Sequence, residues 1–273
     1  MKKLKEEYHV FSPAVILGII CFLAAFCLFF VNIKLCVLPF VFFLGVSLAT
    51  LFFPAFGYYL PIISRGNPGK NAISLTFDDG PDPLTTPEVL RLLEKYKVKA
   101  TFFVTGSSTA QHPLLIKEIV CSGHTIGNHS YHHYFLLMLR SKKILCREIE
   151  STQQELHSLG ICPLIFRPPV GITSPRLKQV LEQQGMICVN FCCRAMDGGN
   201  RRIRNLSQKI LNKIQPGDIV MLHDTRPKNM DVLPYWLTEL ELILAGIREK
   251  GLEILPLSEL IHKPVMRLTS QAQ

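Results

Sequence analysis

Between Val10 and Ser64 the chain carries a single fully charged residue, Lys34. A stretch that apolar has to be buried, in lipid or in protein. Residues 14–33 are an uncharged run of twenty, about 30 Å long as a helix, which matches the hydrocarbon core of a bilayer. A second run covers residues 35–53, with Pro39 in its first turn and Pro54 and Pro61 at its exit. These runs read as a two-helix membrane hairpin turning at Asn32-Ile33-Lys34, so that 1–65 is a membrane segment and 66–273 a polar domain. A cleavable signal peptide fits poorly, because the apolar run is long and resumes after Lys34. Lys2, Lys3 and Lys5 precede the hairpin, and Arg65 and Lys70 follow it. The excess of positive charge then places both ends, and the polar domain, on the cytoplasmic side of the inner membrane. The competing arrangement has one span, a re-entrant or interfacial second segment, and an outward-facing domain.

The mean hydropathy of +0.24 is too high for an ordinary soluble protein, and the excess is local. Beyond residue 65 lie about 208 residues (273 − 65) of ordinary polarity, enough for one well-buried domain or two small ones. Their 25 basic and 19 acidic residues leave +6, against +3 for residues 1–65. That excess suits an anionic substrate or a membrane surface; no motif or aromatic platform points to nucleic acid. The nine cysteines include no CxxC pair. Their odd number and the adjacent Cys192-Cys193 read as buried thiols in a reducing compartment.

In the polar domain strand-like and helix-like stretches alternate. Strands are expected at 72–77, 100–104, 124–127, 164–167, 187–191, 219–222 and 252–255. Helices are expected at 86–96, 113–122, 141–159, 174–184, 203–214 and 231–250. In 141–159, Leu145, Ile149, Thr152, Leu156 and Leu159 make one face, and Gly160 stops the helix. Such alternation argues for an α/β fold with a mostly parallel sheet, open or closed into a barrel. Catalytic residues in such folds follow the carboxyl ends of strands.

Polar, chemistry-bearing residues stand at those ends. Asp78-Asp79 lies in Thr-Phe-Asp-Asp-Gly-Pro-Asp, where two adjacent carboxylates raise each other's pKa unless a cation neutralises one. A metal on one would leave the other free as a base; the alternative is a plain Asp-Gly turn. His129-Ser130-Tyr131-His132-His133 puts histidines four apart, a spacing that can share a helix face on one metal, with His132 as an alternative partner. Arg167-Pro168-Pro169-Val170-Gly171 sets a cation on a stiff loop. The apolar stretch 219–222 ends in His223-Asp224, a candidate general acid or a plain structural histidine.

In this order and spacing the motifs resemble the NodB-homology polysaccharide deacetylases, carbohydrate esterase family four, over roughly residues 70–260. The resemblance implies a distorted (β/α) barrel that removes acetyl groups from sugars with a divalent metal, often zinc. It implies Asp79, His129 and His133 as metal ligands and Asp78 as the base. His223 would be the acid that protonates the departing amine. Arg167 would orient Asp78, Asp197 would tune His223, and a backbone N–H near Val170 would help hold the oxyanion.

Departures from the family pattern put the substrate in doubt. Val170 stands where tyrosine is common, Met221 where a leucine usually lines the acetyl pocket, and Arg194 and Gly198 replace a carboxylate and an aromatic wall. Two basic loops should lie on the catalytic face: Arg201, Arg202 and Arg204, and then Arg226 and Lys228. They are either a solvated surface or a clamp for phosphate or diphosphate, which with a membrane segment suggests a lipid-linked sugar. The sequence reading is thus a membrane-anchored, metal-dependent hydrolase of an N-acyl (acetyl or formyl) amino sugar. Its substrate would be a polysaccharide or a lipid-linked precursor, with membrane lipid as a partner. The alternative is a non-catalytic carbohydrate-binding or membrane scaffold protein that keeps the fold.

Overall fold

The computed structural model describes residues 11–50, 53, 55–67, 69 and 71–269. The first helix, α1, covers Pro13–Val31, with proline in its first turn, where the missing N–H has no partner to lose. Among the described residues it is the one helix long and apolar enough to cross a membrane, a test that a signal sequence also meets.

The second apolar run departs from expectation. A 3-10 turn at Leu35–Val37 leads into α2, Leu38–Ala49. Its twelve residues extend about 18 Å, short of the roughly 30 Å of a bilayer core. The helix stops at Thr50, whose hydroxyl donates back to the carbonyl of Ser47. A hairpin of two spanning helices is therefore not shown among the described residues. Residues 51, 52 and 54, at the end of the expected second span, and Lys2, Lys3, Lys5 and Lys70 lie outside the described residues. α2 folds back along α1, with the Phe43 ring against Gly18. The Ala14 N–H donates to the Tyr58 carbonyl at 3.0 Å, which sets the start of α1 beside the chain leading into the sheet.

The polar region then alternates as its pattern requires. It runs β1 (Ile62–Ile63), β2 (Ala72–Asp78), α3 (Thr86–Lys95), β3 (Thr101–Val104), α4 (Gly106–Gln111), α5 (Pro113–Cys121) and β4 (Thr125–Asn128). Next come α6 (Lys142–Ser158), β5 (Ile161–Pro163), β6 (Ile165–Phe166), α7 (Pro175–Gln184), β7 (Ile187–Val189) and β8 (Cys193–Arg194). The chain ends with α8 (Leu206–Leu211), β9 (Ile219–His223), α9 (Leu233–Glu249), β10 (Glu253–Ile254), α10 (Leu257–Leu260) and β11 (Met266–Leu268).

The main sheet has the order β1-β7-β6-β4-β3-β2-β9-β8, with β10 also on β2, and all its pairs are parallel. β5 and β11 make a separate antiparallel pair that the sequence pattern did not reveal. The curl of the sheet follows from connectivity. β7 and β8 are six places apart in the sheet, about 29 Å if it were flat. The chain from Val189 to Cys193 can reach at most about 14 Å. Only a sheet curled on itself brings these strands close enough, which gives the distorted half-barrel.

Alternation then sorts each strand between two cores. On β2, Ile73, Leu75 and Phe77 pack between sheet and helices, with Phe102 and Val104 of β3 and Val220 and Leu222 of β9. Ala72, Phe103, Ile219 and Met221 fill the barrel interior with Ile165, Val189 and Phe191. Asp78 and His223 stand at interior parity on their strands. Gly127 on β4 is required here: a Cβ at this position would lie 2.5 Å from the Phe103 ring. All nine cysteines are free, Cys193 and Cys188 buried as expected of thiols, Cys27 and Cys121 exposed.

Candidate functional site

Adjacent residues on a strand face opposite ways, so Asp78 and Asp79 should not share a site. Asp79 breaks the alternation: its φ of 75° is left-handed, and its carboxylate turns back to the strand ends. Asp79 Oδ1 lies 3.3 Å from His129 Nε2 and 3.1 Å from His133 Nε2. One ligand atom from each of the three lies within 4.8 Å of the others, an arrangement that could hold a metal ion.

The two histidines meet in a way the sequence reading did not foresee. Residues 129–133 form no helix; they bend, with left-handed backbone at Ser130 (φ 65°) and His133 (φ 54°). Glu148 of α6 holds that bend, accepting the N–H groups of Tyr131 and His132 at 3.1 and 2.8 Å. It also pairs with His132 Nδ1 at 2.7 Å, which takes His132 away from Asp79. His129 Nδ1 bonds the Arg167 carbonyl at 2.7 Å. A carbonyl only accepts, so the proton sits on Nδ1 and the Nε2 lone pair is left facing Asp79.

Beside this trio, Asp78 Oδ1 accepts from Arg167 Nη1 at 2.6 Å, while Asp78 Oδ2 lies 3.9 Å from His129 Nε2. Arg167 has no solvent exposure. Its Nε–H donates to the Val189 carbonyl, Nη1 also to the Thr76 hydroxyl, and Nη2 to the Asn190 carbonyl. The guanidinium stacks 3.9 Å from the Phe103 ring centroid. Burial pulls its pKa down, and Asp78 opposes that pull.

On the other side His223 Nδ1 meets both Asp197 oxygens at 2.9 Å. Burial would lower the His223 pKa, but Asp197 outweighs it and lifts it to about 9. Burial likewise raises the Asp197 carboxyl, and the bond to His223 overrides this and holds it below its usual range. Burial acts on Asp79 in the same sense, and His129 and His133 hold its carboxyl well below the usual range. Burial, with His129 second, lowers His133.

The structure therefore brings Asp78, Asp79, His129, His133, Arg167, Asp197 and His223 together at the strand ends. Val170 follows β6 with a left-handed backbone, φ 53°. Met221 lies in the barrel interior beneath them. Arg201 and Arg202 are exposed on the turn after Asp197. Arg226 is not in a free basic loop, because its Nε pairs with Asp82 at 2.7 Å.

Sequence reasoning missed three buried residues here. Glu148 was legible as a carboxylate inside the apolar face of α6, between Leu145 and Thr152. Asp224 was passed over as the neighbour of His223. It accepts the hydroxyls of Thr85 and Thr86, and Thr85, at the start of α3, makes no side-chain capping bond. Burial pushes Asp224 up to about 7, and a Cβ on Gly80 would lie 2.5 Å from its Oδ2. Asn200 donates to the carbonyls of His223 and Thr225 and accepts from Trp236 Nε1, and no local sequence pattern marks it.

This constellation has relatives. The polysaccharide deacetylase family profile matches residues 65–189. A peptidoglycan-N-acetylglucosamine deacetylase of Bacillus cereus is 31% identical over 195 residues, 71% of this chain and 89% of that protein. A chitooligosaccharide deacetylase of Sinorhizobium fredii is 32% identical over 173 residues, 62% of this chain and 79% of that one. The chain also matches Listeria monocytogenes PgdA, a peptidoglycan-N-acetylglucosamine deacetylase, at 32% identity over 41% of that longer protein. The crystal structure of the Bc1960 peptidoglycan N-acetylglucosamine deacetylase superposes with a TM-score of 0.68 at 30% identity, covering 76% of this chain and 95% of that one. With this fold, these strand-end residues and these relatives, the chain belongs to the polysaccharide deacetylase family, hydrolases of carbon–nitrogen bonds other than peptide bonds.

Proposed function

We propose that this chain is a membrane-anchored, metal-dependent hydrolase that removes an N-acyl group from an amino sugar in a glycan or glycan precursor. The observation that carries the reading is the convergence of Asp79, His129 and His133, flanked by Asp78–Arg167 and His223–Asp197. The trio fits a divalent cation. Asp79 Oδ1 is buried and makes no hydrogen bond, and the His129 proton is fixed on the far nitrogen. Two imidazoles and a carboxylate are a donor set suited to zinc, with positions left for substrate. Bound there, the cation supplies Lewis-acid polarisation of the scissile carbonyl.

The chain's own groups then have defined tasks. Asp78, held through Oδ1 by Arg167, presents Oδ2 to take a proton from the attacking water. The oxygen adds to the acyl carbon, and the backbone N–H of Val170, on the turn after β6, would steady the developing oxyanion. His223 gives its proton to the nitrogen as the C–N bond breaks, releasing the amino sugar and the free acid. Asp197 keeps His223 protonated until then. The relatives' named substrates, peptidoglycan and chitooligosaccharide, support an N-acetylated glycan. A related pseudoenzyme from Bacillus anthracis, 25% identical with a TM-score of 0.65, makes a non-catalytic glycan-binding role the second reading. The presence together of Asp78, His223 and the three candidate ligands Asp79, His129 and His133 favours hydrolysis.

In this proposal residues 1–65 are the membrane segment and 66–273 the catalytic domain. The Ala14–Tyr58 bond sets the start of α1 on the barrel's side, and Lys2, Lys3 and Lys5 make that side the cytoplasmic one.

Purified protein should release acetate or formate from N-acylated oligosaccharides, peptidoglycan fragments or lipid-linked amino sugars. Chelation should abolish release, and Asp78→Asn should lower kcat by about 10²–10⁴-fold with metal retained; stoichiometric turnover by a metal-free sample contradicts the reading. His223 works protonated, so kcat/KM should fall as pH rises through about 9. Asp197→Asn removes what lifts that pKa and should move the alkaline fall downward; an unmoved limb in the pH–rate profile rejects the Asp197–His223 assignment. A reporter fused after Gln273 should be active in the cytoplasm, and activity only outside would reverse the topology.

A further inference from the structure

Beside the acid pair lies an open depression of about 570 Å³ whose lining includes Arg201, Arg202, Arg204, Lys209 and Lys228. Its other lining residues are Asn200, Ile203, Pro227, Asn229 and Val232, and none of the ten lining residues is a carboxylate. Some basic side chains elsewhere on the domain have acidic partners: Arg65 pairs with Asp218, Arg91 with Glu88, Lys95 with Glu241 and Arg226 with Asp82. Among the described residues none of the five lining cations does so. Gathering like charges in one concavity is unfavourable unless an anion neutralises them, and the same field concentrates anions there.

The depression is joined to the reacting centre by backbone. The Arg202 N–H donates to the Asp197 carbonyl at 2.9 Å, and the Asn200 amide donates to the His223 carbonyl at 3.1 Å. The depression therefore adjoins the chain segments that carry Asp197 and His223.

We infer that this depression is an anion subsite for a phosphate or diphosphate group carried by the substrate. The inference rests on the amino-sugar reading above and narrows it to a glycosyl phosphate. Guanidinium forks pair with phosphate oxygens two at a time, and the lysines add point charge. A diphosphate spreads several oxygens over a span that suits cations drawn from the turn after Asp197, from α8 and from the loop after His223. The phosphate can belong to a lipid-linked or to a nucleotide-linked sugar.

The test starts with binding, which needs no turnover. Full-length protein in detergent is titrated calorimetrically with inorganic diphosphate, and with citrate as a carboxylate control at matched ionic strength. Saturable diphosphate binding is expected, stronger than citrate binding. In Arg204→Gln/Lys209→Gln/Lys228→Gln, and separately in Arg201→Gln/Arg202→Gln, it should weaken by at least about tenfold with the unfolding midpoint retained. No saturable binding, equal citrate binding, or wild-type affinity in both folded variants overturns the subsite. Turnover then identifies the source. Wild-type protein should have a higher kcat/KM on a lipid-diphosphate or a nucleotide-diphosphate amino sugar than on a phosphate-free oligosaccharide, and the preferred one names the carrier. That ratio should collapse in the variants; an unchanged ratio overturns the inference. Diphosphate binding without any acyl release would remove the hydrolase reading and leave the anion site. Release from phosphate-free glycans without diphosphate binding would do the reverse.

Discussion

A guanidinium without solvent exposure is the constraint on which the barrel and its chemistry depend. Burying a charge is prohibitive unless it is paired and its donors are met. Arg167 is met on every side: Asp78 and Thr76 on β2, the Val189 carbonyl at the end of β7, the Asn190 carbonyl just beyond it, and the Phe103 ring. β2 and β7 are four places apart in the sheet, so this one side chain braces opposite walls of the curl. It also fixes which oxygen of Asp78 is left for chemistry. The carbonyl of the same residue orients His129. One position thus holds Asp78, the proposed base, through its side chain and the metal-ligand candidate His129 through its backbone.

Around that brace the backbone is strained where the site needs it. Asp79, Ser130, His133 and Val170 all have left-handed backbone without being glycine. Each such residue costs on the order of 1–3 kcal/mol, and for β-branched Val170 the conformation is rare. The strain has a use at each point. At Asp79 it turns a second carboxylate to the face that strand alternation assigns to Asp78. At Ser130 and His133 it folds the histidine loop, which Glu148 then clamps from α6. At Val170 it turns the loop that follows β6.

Most of the parallel sheet, and the placing of reactive residues after strands, was legible because period-two burial and strand-end chemistry are local signals. Asp78, His129, Arg167 and His223 came together as those signals implied, whereas Asp79 joined them only by breaking the alternation through its left-handed backbone. What failed was what depends on distance in space. Hydropathy alone does not separate a spanning helix from a twelve-residue one followed by an apolar exit, and of the second run over 35–53 the described α-helix covers Leu38–Ala49. A spacing of four suggested a helix face for His129 and His133, whereas a bend held by Glu148 does the work. Arg226 looked like part of the basic loops until its partner Asp82, 144 residues away, was seen. Lys209 joined the basic depression from α8, which no sequence pattern announced.

The most direct measurement takes Arg167→Lys, which keeps a positive charge but loses the planar set of donors. Zinc affinity and kcat on an N-acetylated oligosaccharide are determined together on the folded variant. If Arg167 acts by holding Asp78, kcat falls by at least about tenfold while zinc affinity stays near the wild-type value, because the backbone carbonyl that orients His129 remains. Wild-type kcat in the variant would contradict this account, as would zinc binding lost in step with activity.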